Sequence, residues 1–114
     1  MIFGIGTDIV EIERIAKVVQ RHGERFTGYI LTEREMAEAE RRGDRIQFIA
    51  GRWAAKEAVA KALGCGLGSG CAWRDIEIVG NPSGAPLVSL SGSGAETMKS
   101  LRISKMFISI SHER

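Results

Sequence analysis

The stretch from Arg45 to Leu63 restricts the possible folds of this chain more than any other, because it is apolar around almost the whole circumference of a helix. At about 100° per residue, Ile46, Ala50, Trp53, Ala54 and Ala60 fall within roughly 60° of Glu57, while Phe48, Ala55, Val59, Ala62 and Leu63 cover much of the opposite side. An element apolar on all sides belongs inside a fold. The 114 residues suffice for one core and leave no room for a second. This helix, capped by Asp44 and ended by Gly64, is therefore expected at the centre of a single domain. Glu57 would then point into protein or into a cleft.

Around that helix the pattern mixes strands and helices without a repeat or a low-complexity linker. Residues 2–8 read as a buried first strand. Glu11 to about His22 reads as a helix with Ile12, Ile15, Val18 and Val19 on one face, ended by Gly23. Thr32-Glu33-Arg34-Glu35 has the form of a capping box, which predicts a polar helix to about Arg42. Asp75 to Val79 and Leu87 to Leu90 predict a hairpin around the turn Asn81-Pro82-Ser83-Gly84. A short helix near Ala95 to Leu101 and a last strand from Met106 to Ser111 complete an α+β domain, with an antiparallel sheet packed around the long central helix.

Charge and composition mostly exclude. A net charge of +2 is too small to indicate nucleic acid, although a mildly basic balance suits an acidic partner. No stretch approaches the roughly 20 apolar residues that span a bilayer. Asp8 interrupts the opening apolar run before it could act as a signal peptide. A cytoplasmic protein that does not engage a membrane is expected, and Cys65 and Cys71, six apart in a glycine-rich loop without metal-site spacing, read as reduced thiols.

Two carboxylates carry the chemistry. Asp8 ends the apolar run Gly4-Ile5-Gly6-Thr7, and Glu57 lies within the central helix. Each sits among apolar neighbours, which is costly unless a charge compensates it. Taken alone, Asp8 reads as a helix cap, and Glu57 reads as the partner of Lys61 one turn on, with Lys56 as solvated trim. Taken together they form a hard oxygen site of low ligand count, the way Mg²⁺ is held when water and substrate phosphates fill its remaining positions. Lys61 would then meet a phosphate. The Gly64 to Gly70 loop and Gly92-Ser93-Gly94 are glycine-rich, but neither is expected to follow a strand and open a helix as a phosphate loop would, so both read as flexible connections.

The opening Gly4-Ile5-Gly6-Thr7-Asp8-Ile9-Val10-Glu11-Ile12, the block Phe48-Ile49-Ala50-Gly51-Arg52-Trp53-Ala54-Ala55-Lys56-Glu57-Ala58 with Lys61-Ala62-Leu63-Gly64, the loop Gly66-Leu67-Gly68 and the closing Ser109-Ile110-Ser111-His112 together resemble the holo-[acyl-carrier-protein] synthases, a family of 4′-phosphopantetheinyl transferases. The resemblance runs in order from residue 4 to residue 112. It implies transfer of 4′-phosphopantetheine from coenzyme A to a serine of apo acyl carrier protein, with release of adenosine 3′,5′-bisphosphate. It also implies Mg²⁺ held at Asp8 and Glu57 and a homotrimer with active sites between subunits. Cleaving a diphosphate calls for charge neutralisation and an in-line hydroxyl more than for a covalent nucleophile.

Further roles follow from the resemblance. Asp8, Glu57 and Lys61 are the expected catalytic residues, with Glu57 or a water beside it taking the serine proton. Arg52 and His112, and more weakly Arg45, match positions near the 3′-phosphate of coenzyme A. Arg14, Arg21, Arg25 and Phe26 lie in the region the family uses to dock the carrier protein. The family pattern continues past the Ser-His motif into a further strand that completes the sheet and takes part in subunit packing. The sequence here stops at Arg114; either it is a shortened chain or the protein lacks that strand, and a missing strand would leave an open edge in the expected sheet. A non-catalytic module that binds coenzyme A or the carrier is the second reading, and transfer to a protein serine separates the two.

Overall fold

The computed structural model describes residues 2–67 and 71–110. Helix α1 spans Ile12–His22, α2 Glu24–Ile30, α3 Glu33–Arg41, α4 Arg45–Leu63 and α5 Gly92–Ser100; strands β1 (Ile76–Gly80) and β2 (Pro86–Leu90) form one antiparallel ladder. The α+β class expected from the sequence is the one observed, and α4 lies at its centre. Buried apolar side chains gather on two sides of α4. Ala55, Val59 and Leu63 meet Ile76 and Ile78 of β1 with Cys71, while Ile49 and Ala50 meet Ile15, Ile30 and Leu31 from α1 and α2. Cys65 and Cys71 are both free, and burial pushes the Cys71 thiol up to about 11, which keeps Cys71 in the unreactive thiol form.

Local chemistry explains the boundaries. Gly23 takes φ 55° between α1 and α2, a conformation open to glycine, and its N–H donates to Val19 O at 2.7 Å. That kink lets a second helix, α2, start where the sequence signalled only an end. The Thr32 capping box closes as expected. Glu35 N donates to Thr32 Oγ1 at 3.3 Å and Thr32 N to Glu35 Oε1 at 2.8 Å. Asp44 occupies the N-cap of α4 without a side-chain bond to the helix; its carboxylate forks onto Arg42 at 3.0 and 3.2 Å, which raises the Arg42 pKa. Gly64 ends α4 in the left-handed region at φ 75°.

The hairpin forms with Ile76 opposite Leu90 and Gly80 opposite Pro86. Its turn is organised by Asn81 Oδ1, which accepts from Ser83 N, Ser83 Oγ and Ala85 N. Three expectations need correction. Residues 2–8 and 106–110 run beside α4 without regular secondary structure and pair with no strand among the described residues. Most of residues 2–8 are exposed instead of buried, and Ser111 lies outside the described residues. Gly92-Ser93-Gly94 is not a flexible connection but follows β2 and opens α5. Its helix-start N–H of Gly94 and the Ser93 hydroxyl both donate to Asp75 Oδ2, so this helix terminus is already filled by a carboxylate from the chain itself.

Thr32 also donates its hydroxyl to Glu77 Oε2 at 2.6 Å, joining the start of α3 to β1. Thr32→Ala is expected to cost about 1–2 kcal/mol, read by circular dichroism as a melting temperature lower by roughly 5 °C or more, with Thr32→Ser close to the parent.

Candidate active site

Residues 2–11 cross α4 as extended chain before α1 begins, and two glycines allow the approach. A Cβ on Gly4 would stand 2.6 Å from Ala62 O, and one on Gly6 would collide with the carbonyl oxygen of Ala58 and the amide of Ala62. Both contacts are with helix backbone, which has little freedom to move aside. Only glycine permits this packing, and it places Thr7 and Asp8 against the last two turns of α4. Lys61 Nζ donates to Asp8 Oδ1 at 2.8 Å and to Thr7 O at 3.2 Å.

Asp8 and Lys61 differ in exposure. The Lys61 side chain is 53% exposed and that of Asp8 only 15%, so the ammonium lies at the mouth of a site whose carboxylate is deeper. Asp8 Oδ2 is buried and has no hydrogen-bond partner among the described residues. The side-chain bond to Asp8 is the main cause that raises the Lys61 pKa. Glu57 is half-buried one turn before Lys61. Burial first, and the like charge of Asp8 second, raise its carboxyl above the usual range, with Lys61 opposing. The Glu57–Lys61 pair that the helix spacing favours is thus replaced by Lys61–Asp8. The three groups together carry one surplus negative charge and one buried carboxylate oxygen in need of a partner.

A divalent cation meets both needs. No group of three or more His, Cys, Asp or Glu side chains with metal-binding proximity occurs among the described residues, so the side chains on offer to a cation here would be the two carboxylates, a low count of the kind Mg²⁺ accepts with water and phosphate as further ligands. Asp8 also lines a cleft of about 610 Å³ whose walls include Ile12, Ala54, Ala58, Phe107 and Ile110. A second cleft of about 540 Å³ continues between residues 2–6, α4 and residues 102–108.

The other expected residues are dispersed. Arg52 does not reach the cleft. Its Nε donates to Ile78 O at 2.8 Å, its NH2 group pairs with Glu38 at 3.1 Å, and its guanidinium lies 4.4 Å from the Phe48 ring centroid. With its side chain 8% exposed and its pKa lowered, chiefly by burial, it acts as an interior anchor in this structure. Arg45 begins α4, twelve residues before Glu57 and so roughly 18 Å along the axis. His112 lies outside the described residues, as do Gly68 to Gly70 of the glycine-rich loop. Arg14, Arg21 and Arg25 are exposed, and none enters a salt bridge among the described residues. Phe26 is partly buried against the α1–α2 side of the core, so only part of its ring is available to a partner.

Sequence reasoning missed Lys56, which is fully buried where a solvated side chain was expected. Its partner Glu35, at 2.6 Å, is fully buried too. The one signal pointing to Glu35 was its place in the capping box.

Compared with known proteins, residues 4–110 match the family model described as the 4′-phosphopantetheinyl transferase superfamily. Among curated relatives, the holo-[acyl-carrier-protein] synthase of Methylobacterium radiotolerans is 50% identical over 89% of this chain and 74% of its own length. That of Brucella ovis is 46% identical over 89% and 75%. Among solved structures, the holo-[acyl-carrier-protein] synthase of Neisseria meningitidis superposes with a TM-score of 0.92 at 37% identity, covering 99% of this chain and 90% of the other. The Helicobacter pylori enzyme, solved in complex with coenzyme A, gives 0.85 at 39% identity over 96% and 90%.

The electrostatic coupling at the site is testable in the free protein. As pH falls through the raised range of Glu57, its carboxyl takes up a proton and stops attracting a cation. Asp8→Asn removes the like charge and releases Lys61, and both changes favour ionised Glu57. Its carboxyl titration, followed by carbon-detected NMR, is expected to shift to lower pH in that variant.

Proposed function

This chain belongs to the 4′-phosphopantetheinyl transferase superfamily, and from that premise we propose that it is a holo-[acyl-carrier-protein] synthase. It moves 4′-phosphopantetheine from coenzyme A to a serine of apo acyl carrier protein and releases adenosine 3′,5′-bisphosphate. The observation that carries this reading is the bond of Lys61 to Asp8, which lines the cleft, with the Glu57 carboxyl near enough to feel the charge of both.

In the reaction the serine oxygen attacks the phosphorus that bears pantetheine. The bond from that phosphorus to the bridging oxygen breaks, and the electron pair leaves with adenosine 3′,5′-bisphosphate. Mg²⁺, when bound at Asp8 and Glu57, neutralises charge on the diphosphate oxygens. Glu57, or a water beside it, takes the serine proton. Lys61, on a mostly exposed side chain, reaches the diphosphate as negative charge builds on the leaving oxygen. Arg45 and His112 are the proposed contacts of the 3′-phosphate; Arg52, engaged with Glu38 and Ile78, is left out of that role.

The carrier docks on the exposed arginines of α1 and α2, Arg14, Arg21 and Arg25, with the accessible edge of Phe26 beside them. Ile2, Ile5, Ile9 and Phe107 are 75%, 78%, 93% and 87% exposed along the two clefts, an apolar surface that supports assembly with further copies of this chain as a homotrimer. No helix of the described residues is long and apolar enough to cross a membrane, which is compatible with a cytoplasmic setting.

Two outcomes test the reading. Apo acyl carrier protein incubated with this chain, coenzyme A and Mg²⁺ is expected to gain the mass of one phosphopantetheine. The gain should be lost with chelator or in Glu57→Gln; binding without any mass gain would favour the non-catalytic module. Arg14→Glu is expected to raise KM for the carrier protein several-fold and to leave KM for coenzyme A within twofold, because a rim charge acts on encounter with the acidic partner. Equal changes in both would place Arg14 outside the docking surface.

A further inference from the structure

We infer that Lys56 is a positioning residue: its buried bonds set the rotation of α4 about its own axis and thereby hold Glu57 and Lys61 toward Asp8. The inference rests on the cation site proposed above. A helix apolar round its circumference is weakly fixed in rotation by apolar burial, since turning it exchanges one apolar face for another. Directional bonds must supply the register.

Two buried cations, Arg52 and Lys56, stand one turn apart on a single stripe of α4. Lys56 Nζ donates to Ile30 O at 2.5 Å, Glu35 Oε1 at 2.6 Å and Trp73 O at 3.1 Å, three acceptors from three different elements for the three donors of an ammonium. Glu35 in turn accepts from Thr32 N and from Ile78 N, each at 2.8 Å. Arg52 adds the bonds to Ile78 O and Glu38. Glu57 and Lys61 form the neighbouring stripe, about 100° round the axis.

Side chains on a helix reach roughly 5–6 Å from its axis, so a 20° turn would displace the Glu57 carboxylate by about 2 Å. A misplacement of that size is enough to separate it from a cation shared with Asp8, and 1 Å at a reacting centre costs on the order of a hundredfold in rate. Buried ion pairs add little stability compared with well-packed apolar side chains and in some proteins serve geometric specificity instead. Lys56 fits the second role: it touches neither the cleft nor Asp8, yet it is the residue next to Glu57.

The test is the affinity for Mn²⁺, used in place of Mg²⁺ and read by electron paramagnetic resonance of the free ion, on the full chain with coenzyme A present. The parent protein, Asp8→Asn, Lys56→Met and the uncharged pair Lys56→Met/Glu35→Gln are compared, each checked for folding by circular dichroism. The parent is expected to bind and Asp8→Asn to lose binding. Lys56→Met and the double variant are expected to fold and to bind about tenfold more weakly. In transfer assays their half-saturating Mg²⁺ concentration should rise, with KM for the carrier unchanged. Parent-like Mn²⁺ affinity in a folded Lys56→Met, or in the double variant where the single one does not fold, overturns the inference. Failure of both to fold also overturns it, since the pair would then be holding the fold and not the register. A parent that binds no Mn²⁺, or an Asp8→Asn that binds as well as the parent, overturns instead the cation site on which the inference rests.

Discussion

The edge of β1 facing away from β2 presents backbone groups that must find partners where no strand supplies them. Helix α3 supplies them with side chains. Glu35 accepts from Ile78 N, and Glu38 accepts from Gly80 N at 3.2 Å, while Arg52 of α4 donates to Ile78 O. The same two carboxylates neutralise the two buried cations of α4. One short helix therefore closes the sheet edge, balances the interior charge and ties α4 to both. Each buried charged group meets an opposite charge and further hydrogen bonds, which is the condition under which such groups are tolerated inside a protein. A strand edge closed in this way is also unavailable for pairing with another chain.

What was legible in the sequence follows from the range of the interactions. Caps act over three or four residues, so the Thr32–Glu35 box and the Gly64 stop could be read directly, as could the Asn81 turn. Periodicity identified α4 as the central helix. The partners of Lys56 are 21, 26 and 17 residues away in sequence. No local pattern distinguishes such a lysine from a solvated one, and the same holds for Arg52, whose phosphate-like fork is used inside the protein on Glu38. Helix α2 was missed because Gly23 reads as a terminator, whereas its left-handed conformation turns the chain straight into another helix.

The extended termini show a different limit. Alternating apolar residues at 2–9 and 106–110 carry the period of a strand, but a period states which faces are apolar and not what covers them. In the chain taken alone the segments run along α4 with several large apolar side chains exposed. The Gly4-x-Gly6 spacing in the first of them is a local signal that the periodicity does not carry. It marks a close approach of two backbones, and the approach to Ala58 and Ala62 is what delivers Asp8 to the site.

The site itself is a problem in charge balance. Asp8 and Glu57 contribute two negative charges and Lys61 one positive, and the like charge of Asp8 adds to burial in raising the Glu57 pKa. Mg²⁺ held at Asp8 and Glu57, as proposed, would supply the positive charge that this surplus calls for, and would suit a diphosphate as its further ligand. Lys61 is suited to the phosphate contact proposed for it because its side chain is largely exposed and its stem flexible. Lys56, with the same chemistry but no exposed surface, has no such freedom. On one helix, the difference in burial separates a lysine whose ammonium reaches the surface at the candidate site from one whose ammonium is held by three acceptors inside the fold.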